Sequence, residues 1–266
     1  MSFILSSGKQ EVRIRRPMMN SAGMLGFSDE LRNVIDLGAF GAFITNPVSL
    51  HGRNPAHGPR LVEHQHTVLL HTGLPNPGLA RVLELHQTRW SRMQLPVILH
   101  VIANDRDEMT SIVDRLEAAD AVHALEVGLQ NEDHEHDCRI FTAACTGMLP
   151  AIARVPITTP IDHALRLEQI GAAAIVLGPP RGTLIHDGEI VSGRLYGPGL
   201  QAQLMHACLR LIGMLKCPLI AGSGLFSRAS AEQLLAAGIA GIQLDTVLWT
   251  DPGSFFDPPL SSSQEV

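Results

Sequence analysis

The sequence predicts an α/β fold of the (β/α)₈ TIM-barrel type. Short apolar segments alternate with amphipathic ones along the chain, which is typical of repeated βα units. The apolar segments lack polar alternation, as expected for parallel strands covered on both faces. The length of 266 residues also suits this barrel, which typically needs about 250. An open doubly wound sheet is the alternative, but no Gly-x-Gly-x-x-Gly motif follows the first strand.

Seven apolar segments are predicted to be buried strands. They are GAFGAFITN (38–46), LPVILHVIA (95–103), VHALEVG (122–128), LPAIARVP (149–156), AAAIVLGPP (172–180), CPLIAGSG (217–224) and AGIQLDT (240–246). Five segments with apolar residues at helical spacing are predicted to be helices. They are residues 29–38, 77–90, 105–120, 159–171 and 227–238.

Local signals predict where some helices begin and end. Thr159 before Pro160 is typical of an N-cap followed by the first helical residue, and Ser230 with Gln233 is typical of a capping box. Gly171 and Gly238 are each expected just past a helix, where glycine turns the chain into the next strand.

Two long connections, residues 46–76 and 178–196, follow predicted strands. Long βα loops are where such a barrel keeps its active site. We therefore expect one barrel domain over residues 1–256, with its site beneath these loops. Residues 257–266 are expected to form a disordered tail.

Composition excludes several classes of protein. The chain has 20 basic and 26 acidic residues, a net charge of −6 and no basic block, so it is not expected to bind nucleic acid. No apolar run reaches the roughly 18 residues that span a bilayer. The four cysteines form no Cys-x-x-Cys pair, and the first residues do not resemble a signal peptide. A cytoplasmic protein with a small-molecule substrate is therefore predicted.

A set of short motifs resembles the dihydroorotate dehydrogenase family. The motifs are MNSAG (19–23), GAFITN (41–46), GRNPAHGPR (52–60), TGLPNPGL (72–79), PVILHVIA (96–103) and AGSG (221–224). The resemblance extends from about Arg13 to Asp251. It implies a (β/α)₈ barrel that binds flavin mononucleotide (FMN) and oxidises CH–CH groups in pyrimidine biosynthesis. By default, it also implies a homodimer.

The resemblance implies which residues contact the cofactor and the substrate. A turn of small residues lets a backbone approach the flavin ring, and a glycine-rich segment before a helix suits its phosphate. The implied cofactor-binding residues are Ala22, Gly23, Thr45, Asn46, Arg154, Gly193, Gly222, Ser223, Gly224, Asp245 and Thr246. The implied substrate-binding residues are Gly73, Leu74 and Asn131.

The chain departs from the family at positions that carry chemistry. Leu129 stands where the family has its Cys or Ser base, and leucine cannot accept a proton. Asn46 replaces a lysine, and Asp245 replaces a glycine beside the flavin phosphate, where like charges repel. No catalytic residue is assigned, although His71 and Glu126 are candidates for substitute acid–base work.

Two features of the predicted site have alternative interpretations. Arg154, at the end of a strand, either contacts an anionic ligand or forms an ion pair with Glu126. The segment NEDHEHDC (131–138) is crowded with possible metal ligands, but it is more typical of a solvated loop and helix start. No metal is predicted.

Three functions follow from these interpretations. The first is a dihydroorotate-dehydrogenase-like, FMN-dependent oxidoreductase with an altered substrate site. The second is a non-catalytic barrel that binds a small ligand or a partner subunit. The third is a metal-dependent lyase or hydrolase that uses residues 131–138.

Overall fold

The strands and helices of the protein alternate along most of the chain. The computed structural model describes residues 2–129 and 133–256. Within these residues the strands are β1 (Phe3–Ser6), β2 (Glu11–Ile14), β3 (Met18–Asn20), β4 (Phe43–Ile44), β5 (Leu61–His64), β6 (Thr67–Leu70), β7 (Val97–Val101), β8 (Ala124–Gly128), β9 (Ala151–Pro156), β10 (Ala174–Gly178), β11 (Arg181–His186), β12 (Glu189–Tyr196), β13 (Leu219–Ala221) and β14 (Gly241–Leu244).

The α-helices cover the outside of the central sheet. They are α1 (Leu79–Trp90), α2 (Arg106–Leu116), α3 (His134–Ala144), α4 (Ile161–Ile170), α5 (Gln201–Leu211), α6 (Arg228–Ala236) and α7 (Val247–Thr250). Short 3₁₀ helices lie at Leu37–Ala39, Pro198–Leu200 and Pro252–Ser254. In the described parts of the chain, no helix is long and apolar enough to cross a membrane.

Eight parallel strands form the central sheet in the order β3-β14-β13-β10-β9-β8-β7-β4. This order follows the chain around a barrel, so the predicted (β/α)₈ fold is confirmed. The Asn20 side chain closes the seam between β3 and β4. Its Nδ2 donates to the Ile44 carbonyl at 2.6 Å, and its Oδ1 accepts from the Ile44 amide at 2.9 Å.

The barrel interior changes from apolar to polar toward the carboxyl ends of its strands. Ile98, Ala124 and Ile152 lie in one buried apolar cluster with residues of β1 and β2. Because side chains alternate along a strand, the next interior position is two residues further on. There the same three strands carry His100, Glu126 and Arg154, all buried. The polar layer is therefore a floor for the barrel mouth.

Two accessory sheets cover the ends of the barrel. The hairpin of β1 and β2 packs Leu5 and Ile14 into the apolar interior cluster. At the other end, the two long connections form an antiparallel sheet in the order β11-β12-β6-β5. Arg194 of β12 pairs with Leu70 of β6, which ties the two connections together. Both connections were predicted to lie over the mouth, but the sheet was not foreseen.

Three local predictions were wrong. Residues 29–38 form isolated turns and a 3₁₀ helix, because Val34 is exposed and the segment lacks one continuous buried face. Helix α4 has Pro160, not Thr159, at its N-cap. Helix α6 is capped by Ser227, whose side chain accepts from the Ser230 amide, so Ser230 lies inside the helix.

Candidate functional site at the barrel mouth

A cavity of about 420 Å³ lies between the barrel mouth and the accessory sheet. This volume is within the usual range for small-molecule sites, roughly 300–1,000 Å³. The cavity is lined by Ala22, Pro47, Arg53, Leu70, His71, Thr72, Gly73, Leu74, His100, Arg154, Pro179, Arg181, Ser192, Gly193, Arg194 and Tyr196. The site is therefore built from strand ends and the two long connections.

The cavity wall is strongly cationic. Four arginines line it, and none of the described residues that line it is Asp or Glu. Arg194 donates from Nη1 to the Pro179 carbonyl at 3.1 Å, while its buried Nη2 has no hydrogen-bond partner. Burial lowers the Arg194 pKa to about 10. A buried guanidinium with a free donor is suited to an anionic ligand.

A hydrogen-bonded network forms the cavity floor. His100 Nδ1 lies 2.8 Å from Glu126 Oε1, and Arg154 Nη1 lies 3.6 Å from the same oxygen. Gln243 bridges Glu126 and Arg154, because its side chain donates to Glu126 and accepts from Arg154. Arg154 Nη2 donates to Ser21 Oγ at 2.8 Å. Side chains from strands β7, β8, β9 and β14 thus meet inside the barrel.

Glu126 carries a negative charge in this network. Its burial alone would raise its pKa, but Arg154 and hydrogen bonds from His100 and Gln243 favour the carboxylate, and the net pKa is lowered. The ion-pair interpretation of Arg154 is therefore correct. Arg154 also lines the cavity, so the ion pair does not remove it from the site.

The predicted phosphate cradle is occupied by a side chain of the protein itself. Asp245 is 1% exposed, and its Oδ2 accepts from the Gly224 amide at 3.1 Å. Its other oxygen accepts from Thr246 Oγ1 at 3.3 Å, and the Thr246 amide also donates to the carboxylate. Ser223 Oγ is buried without a partner. The donors that would hold a phosphate thus largely hold a carboxylate.

The site consequently fits one end of FMN and not the other. Ala22 and Gly193 line the cavity, and their small size leaves room there for a flat ring. At the phosphate end, the Gly224 amide already donates to Asp245. A phosphate there would meet a buried carboxylate, so FMN does not fit this arrangement.

Other predicted residues have structural contacts of their own. Thr45 is buried, donates to the Asn46 carbonyl and accepts from the His100 amide. Asn46 Oδ1 is buried without a partner. Gly73 and Leu74 line the cavity, and their role in substrate binding stays a prediction. Asn131 lies outside the described residues.

The position of the missing base is apolar. Leu129 is 1% exposed and belongs to the main hydrophobic core. Its amide donates to the Arg154 carbonyl at 2.9 Å, which continues the pairing of β8 with β9. Proton transfer at the cavity therefore requires a different side chain.

The charged segment after Leu129 does not gather its described side chains around one point. His134 stacks on His163, with ring centroids 4.2 Å apart, and Glu135 pairs with Arg166. His136 Nε2 lies 2.8 Å from the Asn104 carbonyl. Among residues 2–129 and 133–256, no group of three His, Cys, Asp or Glu side chains is placed to hold a metal ion.

Three functional candidates were missed by sequence reasoning. His100, Gln243 and Arg194 all contribute to the cavity or its floor. A polar residue inside the otherwise apolar segments VILHV and GIQL was a usable signal for the first two. Arg194 lies in a connection whose strand pairing could not be read from periodicity.

The fold and the site together define a (β/α)₈ barrel with a cationic cavity at its mouth. The sequence model of the dihydroorotate dehydrogenase family matches residues 5–131. A catalytic subunit of dihydroorotate dehydrogenase B (NAD(+)) from Desulforudis audaxviator is 24% identical, over 91% of this chain and 85% of its own length. The corresponding subunits from Trichlorobacter lovleyi and Desulforamulus reducens are 25% and 26% identical, over 91% and 89% of this chain and 87% and 84% of their own lengths. The resemblance to the dihydroorotate dehydrogenase family is therefore confirmed, at a low sequence identity.

Proposed function

We propose that the chain is an oxidoreductase of the dihydroorotate dehydrogenase type that acts in the barrel-mouth cavity. The observation that carries this proposal is the cavity itself, which has Ala22 and Gly193 in its walls and Arg154 at its floor. If a flavin ring binds there, the positive charge of Arg154 would stabilise negative charge on that ring. The names of the relatives support the reaction class.

The substrate proposed for this cavity is a small anion. Arg194 has a buried donor without a partner, and Arg53 and Arg181 add positive charge along the wall. A carboxylate bound there would gain charge-assisted hydrogen bonds from Arg194. Substrates of the relatives carry a carboxylate, so dihydroorotate is the first compound to test.

His100 is the proposed proton acceptor in place of Leu129. It lines the cavity, and its Nδ1 lies beside the Glu126 carboxylate, which favours the tautomer with the proton on Nδ1. The Nε2 atom is then free to accept a proton from a substrate. His71, which also lines the cavity, has no such orienting carboxylate among its described hydrogen bonds.

In the family, a flavin accepts the hydride. The hydride acceptor proposed for this cavity is likewise a flavin ring; because Asp245 occupies the phosphate cradle, no step is assigned to FMN itself. The experiment is to incubate the purified protein with FMN or riboflavin and dihydroorotate, and to follow reduction of an artificial electron acceptor. The product, orotate, is titrated separately in thermal unfolding.

The wild-type protein is expected to oxidise dihydroorotate and to be stabilised by orotate. The Arg194→Gln variant should lose about tenfold or more in orotate affinity, since a charge-assisted hydrogen bond contributes about 1.5–3 kcal/mol. Arg92→Gln is the matched control, because Arg92 is exposed and outside the cavity lining. The proposal is contradicted if the wild type neither oxidises dihydroorotate nor is stabilised by orotate.

A non-catalytic ligand-binding barrel is the second candidate. The buried Leu129 favours it, because the family's proton acceptor is absent from that position. Orotate binding without oxidation, under all cofactor conditions, would support this candidate over the first.

A further inference from the structure

The carboxylate of Asp245 is held as an exogenous anion would be. Its donors are the Gly224 amide, the Thr246 amide and the Thr246 hydroxyl. These groups follow strands β13 and β14, which are neighbours in the barrel. Backbone amides that converge at strand ends are a common means of binding phosphate. The protein therefore has an anion cradle that it fills with its own side chain.

The geometry of the cradle keeps Asp245 in place. Gly224 has φ +66°, and a Cβ there would lie 2.9 Å from Leu200 Cβ and 3.0 Å from the Gln201 amide nitrogen. The turn after β13 is thus pressed against the start of α5. Asp245 is 1% exposed, so its carboxylate has no route to bulk water without a rearrangement of this turn.

A second observation concerns the Ser223 hydroxyl, which lies in the turn that holds Asp245. Ser223 is 0% exposed, and its hydroxyl oxygen has no hydrogen-bond partner. It lies between Gly222 and Gly224, in the same turn that donates to Asp245. A buried hydroxyl without a partner is unusual and costs free energy. This turn therefore contains one buried polar group that Asp245 does not satisfy.

The cradle is electrostatically connected to the cavity. Arg154 lines the cavity, and its Nη2 donates to the Gly222 carbonyl at 3.5 Å, in the turn that also holds Asp245. Arg154 also acts on Asp245. A ligand that extends from the cavity toward the cradle would meet Asp245 at its far end.

We propose that Asp245 is a specificity residue that occupies the anion cradle, so that the barrel selects a ring ligand without a phosphate group over the same ligand with one. The proposal rests on the proposed function for its ring ligand, a flavin. Riboflavin and FMN share the ring and differ in the phosphate, so they form the matched pair of probes.

The test uses the full-length chain at pH 8 with Asp245 intact, Asp245→Gly and Asp245→Asn. Riboflavin and FMN are titrated by quenching of flavin fluorescence. The wild type is expected to bind FMN no more tightly than riboflavin. Asp245→Gly should bind FMN about tenfold or more tightly than riboflavin, because charge-assisted hydrogen bonds to the freed amides become available. Asp245→Asn, which removes the charge and keeps the shape, should weaken the discrimination against FMN.

The control is Asp187→Gly, which makes the same chemical change at an exposed residue that already has φ 52°. It should behave as the wild type. Circular dichroism establishes that each variant is folded, and Asp245→Asn decides the outcome if Asp245→Gly does not fold. A wild type that prefers FMN tenfold, or Asp245 variants that gain nothing from the phosphate, would overturn the proposal.

Inorganic phosphate separates this inference from the proposed function. Phosphate is expected to raise the melting temperature of Asp245→Gly and to leave that of the wild type unchanged. If no variant binds either flavin, the flavin part of the proposed function fails, while phosphate still tests the cradle. Equal effects of phosphate on both proteins would then overturn the role of Asp245.

Discussion

Glu126 and Asp245 are two buried carboxyl groups in one barrel whose pKa values move in opposite directions. Glu126 has Arg154 and His100 as neighbours, which favour its charged form and lower its pKa. Asp245 has mainly neutral donors, and burial raises its pKa to about 6. The sequence shows two acidic residues near strand ends. Only their partners distinguish the paired carboxylate from the one that is costly to ionise.

The Asp245 pKa predicts how stability depends on pH. The folded protein holds this proton more tightly than the unfolded chain, whose ordinary value is 3.8. The contribution to stability is therefore complete below pH 3.8 and is lost as the pH rises through about 6. At 1.36 kcal/mol per pH unit, the loss is about 3 kcal/mol. The Asp245→Asn variant should not show this loss of stability with rising pH, because asparagine does not titrate.

Urea denaturation of the wild type and Asp245→Asn at pH 4.5 and pH 8 measures this effect. The variant should gain stability relative to the wild type as the pH rises. Asp187→Asn, at an exposed site, should follow the wild type at both values. A pH-independent difference between wild type and Asp245→Asn would contradict the assignment of the titration to Asp245.

At the scale of single elements, the segment TGLPNPGL is organised by Asn76. Its Oδ1 accepts from the Gly78 amide at 3.0 Å, and its Nδ2 donates to Ser49 Oγ at 3.0 Å and the Leu74 carbonyl at 3.1 Å. Leu74 has φ 53°, an uncommon conformation for a residue other than glycine. Asn76 therefore holds Leu74 in a strained position beside the cavity.

Asn76→Ala should destabilise the protein by about 2–4 kcal/mol, because several buried hydrogen bonds are lost together. Chemical denaturation measures the change. Asn54→Ala is the control, since Asn54 is exposed and has no hydrogen bond through its side chain in the described structure. Equal midpoints for the two variants would show that the loop does not depend on Asn76.

At the scale of the whole molecule, the barrel closes through the Asn20 side chain, beside one backbone hydrogen bond from the Gly41 amide to the Met18 carbonyl at 2.7 Å. β3 and β4 are the ends of the pairing order, and Asn20 supplies both a donor and an acceptor to Ile44. An asparagine amide thus performs the role of a backbone peptide across the seam. All other neighbouring strands in the barrel pair through their backbones.

Asn20→Leu, which is similar in size, should cost about 2–5 kcal/mol, because the Ile44 amide and carbonyl lose their partners in a buried position. Hydrogen exchange should show faster exchange of the Ile44 amide. Asn104→Leu, at an exposed position, should leave that amide protected. Unchanged protection in Asn20→Leu would mean that the seam closes without the side chain.

The order of strands and helices was largely readable from the sequence. Apolar runs and helical spacing depend on neighbours a few residues apart, so segments such as 95–103 and 227–238 were recognised without the fold. The segment 29–38 shows the limit of this reasoning. Its helical spacing did not produce an α-helix, because only Ile35 and Leu37 pack on the core while Leu31 and Val34 stay exposed.

The sequence by itself determined the barrel, because the alternation of buried strands and amphipathic helices leaves few other ways to cover both faces of a parallel sheet. Only the tertiary structure decided which polar side chains meet. Glu126 and Gln243 are 117 residues apart, and Gly224 and Asp245 are 21 apart. Strand order and the inward direction of alternate side chains bring these groups into contact. Patterns among residues close in sequence do not predict contacts between residues so far apart along the chain.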